Sequence, residues 1–118
     1  MYHELTLTIN GLLDFERIPD DRKMILQPLI NFVQEKVNNQ HEIRINFICT
    51  HNSRRSHFSQ IWAQVAAEFY RIPKVKCYSG GTDETALFPM VVTTLINQGL
   101  KIFKIADDSN PIYAIKYN

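Results

Sequence analysis

Residues 43–48, IRINFI, run directly into residues 49–56, CTHNSRRS, and then into residues 57–70, HFSQIWAQVAAEFY. The first segment is short, rich in β-branched and aromatic residues, and polar only at Arg44 and Asn46, which reads as a central strand. From Arg55 onward, Phe58, Ile61, Trp62, Val65, Ala66 and Phe69 recur at i, i+3, i+4 and i+7, the stripe of an amphipathic helix extending to Tyr70. A strand therefore ends at Cys49, a five-residue loop follows, and Arg55 and Ser56 open a helix.

Downstream, residues 75–78 read as a second strand that ends in the turn signal Ser79-Gly80-Gly81-Thr82. A third helix starts at Pro89, turns Val92, Leu95 and Ile96 inward and stops at Gly99. Residues 100–106 form another strand, and after the turn Asp107-Asp108-Ser109-Asn110-Pro111 the alternating tail 112–117 forms one more. Upstream, Ile25, Leu29, Phe32, Val33 and Val37 lie at helical spacing between Pro19 and Asn38, with Asp20 and Asp21 where the helix dipole favours anions. Pro28 either kinks that helix or marks the start of its ordered part. Residues 1–13, with Leu5, Leu7 and Ile9, fit a short strand or a helix packed on the domain. Strands alternating with helices predict an α/β fold with a small, mainly parallel sheet covered by helices.

With 118 residues, 45% hydrophobic and 21% charged, the chain fits one domain with a modest core. A net charge of +1 gives no broad field for nucleic acid or membrane, so positive charge acts locally, around Arg54 and Arg55. The N-terminal MYHELTLTINGLLDF is not a signal peptide and no stretch is long and apolar enough to span a bilayer, which predicts a cytoplasmic protein. Two cysteines, Cys49 and Cys77, make neither a disulfide scaffold nor a C-x-x-C or zinc pattern, so reduced thiols and neither metal nor cofactor are expected.

The strand-to-helix crossing carries the chemistry. A loop entering a helix N-terminus directs N–H groups inward and, with the helix dipole, makes a concave site for phosphate, arsenate or sulfate. A thiol at its base is driven toward the thiolate by the N–H groups, the dipole and the Arg55 charge. Arg55 can return over the loop and hold two oxygens of a transferring phosphoryl group with its planar fork, and Ser56 can donate its hydroxyl to the sulfur. Asn52 tolerates the positive φ that such a loop requires. Cys77 reads as a core thiol, Trp62, Phe58 and Phe69 as core, and His51 and His57 as surface residues.

The motif Cys49-Thr50-His51-Asn52-Ser53-Arg54-Arg55-Ser56, followed about thirty residues later by Ser79-Gly80-Gly81-Thr82, resembles the low-molecular-weight protein tyrosine phosphatase family, which includes thioredoxin-coupled arsenate reductases. The resemblance covers residues 43–102, about half the chain. It implies a small parallel sheet with helices on both faces and a phosphocysteine intermediate, with residues 43–118 as the phosphatase-like domain. Residues 1–42 are then an N-terminal helical extension packed on it, able to cover a sheet edge or to form a homodimer.

Position by position, Cys49 resembles the nucleophile, Arg55 the oxyanion clamp and Ser56 the thiolate-supporting hydroxyl. Thr50, His51, Asn52, Ser53 and Arg54 line the substrate loop, and Ser79 resembles the serine that hydrogen-bonds Asn52. His51 stands where glycine is usual, and Arg54 replaces the second loop cysteine of many members. The chain reaches Asn118 without an Asp-Pro dipeptide, so the general acid of the family has no match; the nearest pattern is Asp107 to Pro111.

Three functions follow as expectations: a phosphomonoesterase acting on phosphotyrosine proteins or related aryl phosphates, an arsenate reductase partnered by thioredoxin, and an oxyanion-binding module without catalysis.

Overall fold

The computed structural model describes every residue except Glu84 and Asp108. Along the chain lie α1 (His3–Asn10), a 3-10 turn (Phe15–Arg17), α2 (Asp20–Asn38), β1 (Ile43–Cys49), α3 (Arg55–Phe69), β2 (Val75–Gly81), α4 (Pro89–Asn97), β3 (Lys101–Ala106) and β4 (Ile112–Lys116). The architecture is α/β, with β1 and β2 parallel and in register from Ile43 opposite Val75 to Cys49 opposite Gly81.

The two-residue period of a strand sorts the side chains of this sheet. Ile43, Ile45, Phe47 and Cys49 alternate inward, together with Val75, Cys77 and Ser79, and α3 packs on both strands. The opposite face carries Arg44, Asn46, Ile48, Lys76 and Tyr78, of which Ile48 is 65% exposed. There the Glu42 carboxylate joins Arg44, at 2.6 Å, to Lys76 across the two strands. Helices on both faces, as the family resemblance implies, are therefore not seen around this sheet among the described residues.

The outer edge of β2 is occupied by side chains of α3. Gln64 accepts from the Cys77 N–H at 3.1 Å and donates to the Val75 carbonyl at 3.1 Å, as a neighbouring strand would, and Gln60 donates to the Cys77 carbonyl at 3.1 Å. These bonds satisfy backbone groups that an edge strand otherwise leaves open.

A mainly parallel sheet is corrected by the position of the last two strands. β3 and β4 pair antiparallel with each other, Lys101 opposite Lys116 and Ile102 opposite Ile115, in a sheet separate from β1 and β2. The chain turns back immediately after β3, so its partner is its own sequence neighbour. Asp108, part of the expected turn Asp107 to Pro111, lies outside the described residues.

The core gathers Leu5 and Ile9 of α1, Ile61 and Val65 of α3, Val91 and Leu95 of α4, and Leu100, with Phe58, Trp62, Phe69, Ile115 and Tyr117 packed against it. The first segment is thus a helix, and its Leu5 is fully buried. Its ends are tied by Tyr2 N–H to the Tyr117 carbonyl at 2.9 Å and by the Thr8 hydroxyl to the Gln98 carbonyl at 2.9 Å. Gly99, at φ +102, lets α1 come close: a Cβ there would collide with the Leu5 nitrogen and fall 2.7 Å from the Leu5 Cα.

α2 continues through Pro28 and has no buried residue; its apolar residues include Ile25, 66% exposed, and Met24, 76% exposed. Amide pairs along it, Gln27 to Asn31 at 2.7 Å and Gln34 to Asn38 at 2.8 Å, support the helix locally. Among the described residues, no helix is long and apolar enough to cross a membrane.

Candidate functional site

Cys49 is the last residue of β1 and faces Gly81 in the register, so the strand pair places its sulfur at the rim where the loop begins. The loop then turns sharply. Asn52 takes φ 48, in the left-handed region, and Arg54, at φ −130 and ψ −75, is the last non-helical residue before α3. Asparagine adopts such a turn more readily than most residues because its short side chain can bond locally. Here it does so, accepting through Oδ1 a 2.7 Å hydrogen bond from the Ser56 hydroxyl.

Ser56 is 2% exposed, and its Oγ lies 3.2 Å from Cys49 Sγ. In the thiol form the S–H donates to Ser56, which donates in turn to Asn52. On ionisation the hydroxyl can rotate to donate to the sulfur, and a turn of the Asn52 amide then offers Nδ2 to the hydroxyl.

The Cys49 thiol is pulled from 9.0 to about 7, first by the Ser56 hydroxyl, then by the Ser56 N–H, with smaller contributions from the N–H groups of Asn52 and Ser53, against partial desolvation. Hydrogen bonds to the sulfur thus outweigh the loss of water. The Arg55 charge, expected from the sequence to share in this, is not among the causes.

A cavity of about 460 Å³ opens over the sulfur, lined by Cys49, His51, Ser53, Arg54, Arg55 and Thr85. Two arginines therefore line one opening with a thiol whose pKa is lowered. Arg54 is held by its stack on the Phe88 ring, Cζ 4.1 Å from the centroid. His51 Nδ1 lies 3.7 Å from an Asp83 oxygen at the exposed lip. Thr50 does not line the cavity; its carbonyl accepts from the N–H groups of Thr82 and Asp83, each at 2.9 Å.

The segment after β2 braces the loop from outside, a role that the sequence pattern does not announce. The Thr85 hydroxyl donates to the His51 carbonyl at 2.7 Å, and the Phe88 N–H donates to the Ser53 carbonyl at 3.1 Å. The one signal for it is the cluster of short hydroxyl side chains after the glycine pair, a residue type that bonds nearby backbone. Gly81 also has a specific role: a Cβ there would lie 2.7 Å from Asn52 Cβ and 2.8 Å from the Asn52 nitrogen.

Ser79 is placed differently from its expected pairing. Its Oγ meets His57 Nδ1 at 3.4 Å, while Asn52 Oδ1 is taken by Ser56. His57, expected at the surface, is half-buried, and burial is the larger effect on its pKa, lowering it, while the Asn52 backbone draws it up.

Cys77 is buried with its pKa raised by desolvation. It pairs with Ile45, four residues before the Gly81–Cys49 pair, so the two cysteines are separated by about 13 Å along the sheet. A disulfide requires Cα atoms within about 7 Å, so Cys77 cannot reach Cys49 without rearrangement of the sheet. Among the described residues, no group of three or more His, Cys, Asp or Glu is arranged to hold a metal ion.

Compared with known proteins, the chain is matched by no protein-family model, no curated protein and no solved structure.

Proposed function

We propose that the chain is a cysteine-dependent phosphomonoesterase of the protein tyrosine phosphatase type, with the loop of a low-molecular-weight phosphatase. The observation that carries this reading is Cys49, held near a pKa of about 7 by Ser56 and the loop N–H groups in the cavity that Arg54 and Arg55 also line. At neutral pH about half of such a thiol is thiolate.

In this reading the Cys49 thiolate attacks phosphorus, an S–P bond forms as the P–O ester bond breaks, and the alkoxide or phenoxide leaves. Arg55 and the loop N–H groups hold the phosphoryl oxygens as their charge is redistributed. Water then attacks the phosphocysteine, the S–P bond breaks toward sulfur, and inorganic phosphate leaves as the thiolate is regenerated and the water's proton passes to solvent.

Among the described residues lining the cavity there is no carboxylate. General acid catalysis typically contributes about 10²–10⁴-fold, so the reading favours aryl phosphates, whose phenolates depart without full protonation. A thiolate nucleophile needs reducing conditions, so a cytoplasmic location is part of the proposal.

Arsenate reduction draws less support, because its arsenic adduct needs a resolving thiol and Cys77 is out of reach of Cys49. The test is hydrolysis of para-nitrophenyl phosphate with and without vanadate, by the protein and by Cys49→Ser. Vanadate-sensitive turnover lost in Cys49→Ser is the expected result. Equal turnover by the variant refutes the assignment of Cys49, and phosphate binding without turnover makes the loop an oxyanion-binding module.

A further inference from the structure

α2 runs for 19 residues and has no buried residue. A helix in water owes most of its stability to the packing of an apolar face. Pro28 sharpens that need, because it removes the N–H that would bond the Met24 carbonyl one turn earlier. Leu26, Val33 and Val37 share one side of α2 and are half-buried. Beside them runs a second stripe, Arg22, Ile25, Leu29, Phe32 and Lys36, at the alternating three- and four-residue spacing of a seam between two helices. Its apolar members are exposed, and the Lys36 ammonium leans over the Phe32 ring, 5.6 Å from the centroid, so this charge ends the same stripe.

The charges at the two ends of the stripe complement the reverse of the helix itself. Turning α2 about the point between Pro28 and Leu29 brings Asp21 level with Lys36, Arg22 level with Glu35, and Ile25 level with Phe32. A parallel pair would instead set Asp21 against Asp21 and Lys36 against Lys36. Antiparallel alignment also lays the two helix dipoles head to tail. Among the described residues, none of these four charged side chains takes part in an ion pair within the chain.

We propose that this stripe of α2 is the interface between two copies of the chain. The two helices run antiparallel across a two-fold axis that passes between Pro28 and Leu29. Ile25, Leu29 and Phe32 of each copy pack together, and Asp21 pairs with the partner's Lys36 at both ends. Such a contact uses the same patch on both copies, so it closes at the dimer and does not propagate. The apolar side chains supply the attraction, while the exposed ion pairs fix direction and register. One pair of helices lies at the low end of interface sizes, which places association in the micromolar range. The interface involves no residue of the Cys49 loop and is independent of the proposed chemistry.

The test is sedimentation equilibrium of the full chain from about 1 to 300 µM, a range that brackets micromolar association. The expected result is a reversible monomer–dimer equilibrium, and a monomer at every concentration overturns the proposal. Leu29→Glu, at an exposed position, should weaken the dimer at least thirtyfold, while the rate of Cys49 alkylation by iodoacetamide stays at the wild-type value and reports that the domain is folded.

Charge reversal identifies the partner and keeps the proposal testable should Leu29→Glu not fold. Asp21→Lys alone and Lys36→Glu alone each place like charges together at both ends, and each should weaken self-association about five- to tenfold. An equimolar mixture of the two variants restores opposite charges at both ends and should dimerise about as well as the wild type. A dimer unaffected by Leu29→Glu and by both reversals, or no recovery in the mixture, overturns the antiparallel α2 interface.

Discussion

Ser56 Oγ stands 3.2 Å from Cys49 Sγ and donates to Asn52 Oδ1 at 2.7 Å, so a single buried hydroxyl joins the end of β1, the loop and the first turn of α3. A hydroxyl enclosed in this way has few alternative partners, and its hydrogen bond is available to the sulfur as soon as the thiol proton leaves. The same contact is the largest single cause of the lowered Cys49 pKa.

Ser56→Ala is therefore expected to raise the Cys49 pKa from about 7 toward 9.0. Alkylation at pH 6.5 falls about three- to tenfold while the rate at pH 10 is retained. An unchanged profile would show that the backbone N–H groups suffice without the hydroxyl.

The lowered pKa also ties folding stability to pH. Between about 7 and 9.0 the unfolded chain keeps the Cys49 proton and the folded chain has lost it, so the contribution of Cys49 to stability rises with pH through that window. It is fully present above 9.0 and lost as pH falls through 7. Urea midpoints of the wild type relative to Cys49→Ser should climb between pH 7 and 9; parallel curves would contradict the shift.

Gly81→Ala inserts a Cβ against Asn52, whose Cβ and nitrogen are 2.7 and 2.8 Å from the new atom. Overpacking of this kind costs about 1–3 kcal/mol. The strain falls on the loop, so the ability of inorganic phosphate to protect Cys49 from alkylation should drop at least fivefold. Phosphate protection equal to that of the wild type would show that Asn52 can give way without cost to the cradle.

Gln64→Leu keeps the side chain's bulk but leaves the Val75 carbonyl and the Cys77 N–H without the partner they have now. An unsatisfied buried group costs about 1–3 kcal/mol, which denaturant titration can read directly. A midpoint within error of the wild type would mean that water replaces the amide.

At the other end of the molecule, Gly99→Ala would drive a methyl group into the Leu5 nitrogen, at a φ of +102 that alanine adopts only under strain. Loss of about 2–4 kcal/mol is expected from strain and from displacement of Leu5 out of the core. Thermal unfolding measures it, and Cys49 alkylation in the folded fraction should be unaffected.

The helices α2, α3 and α4 are legible in the sequence because apolar spacing is a local signal, and the left-handed turn at Asn52 is legible because residue type limits φ. Pairing is not. Ser79, Gly80 and Gly81 read as a turn, yet they continue β2 opposite Phe47, Ile48 and Cys49, because a partner strand thirty residues away determines their conformation. The pattern in α2 predicts an apolar stripe but does not say what meets it, and Ile25 and Phe32 remain exposed. The residue types around Cys49 point to an acidic thiol, but the weight they suggest for Arg55 belongs to Ser56, whose burial only the folded loop supplies. His57 reads as a surface residue for the same reason: its neighbour Ser79 comes from β2, twenty-two residues further along the chain.

The amide ladder formed by Gln60 and Gln64 gives the parallel sheet a direction of growth. With the outer rail of β2 already taken by α3, an additional strand can enter only alongside β1. That is the strand that ends in Cys49, so any enlargement of this sheet would be built next to this thiol rather than away from it.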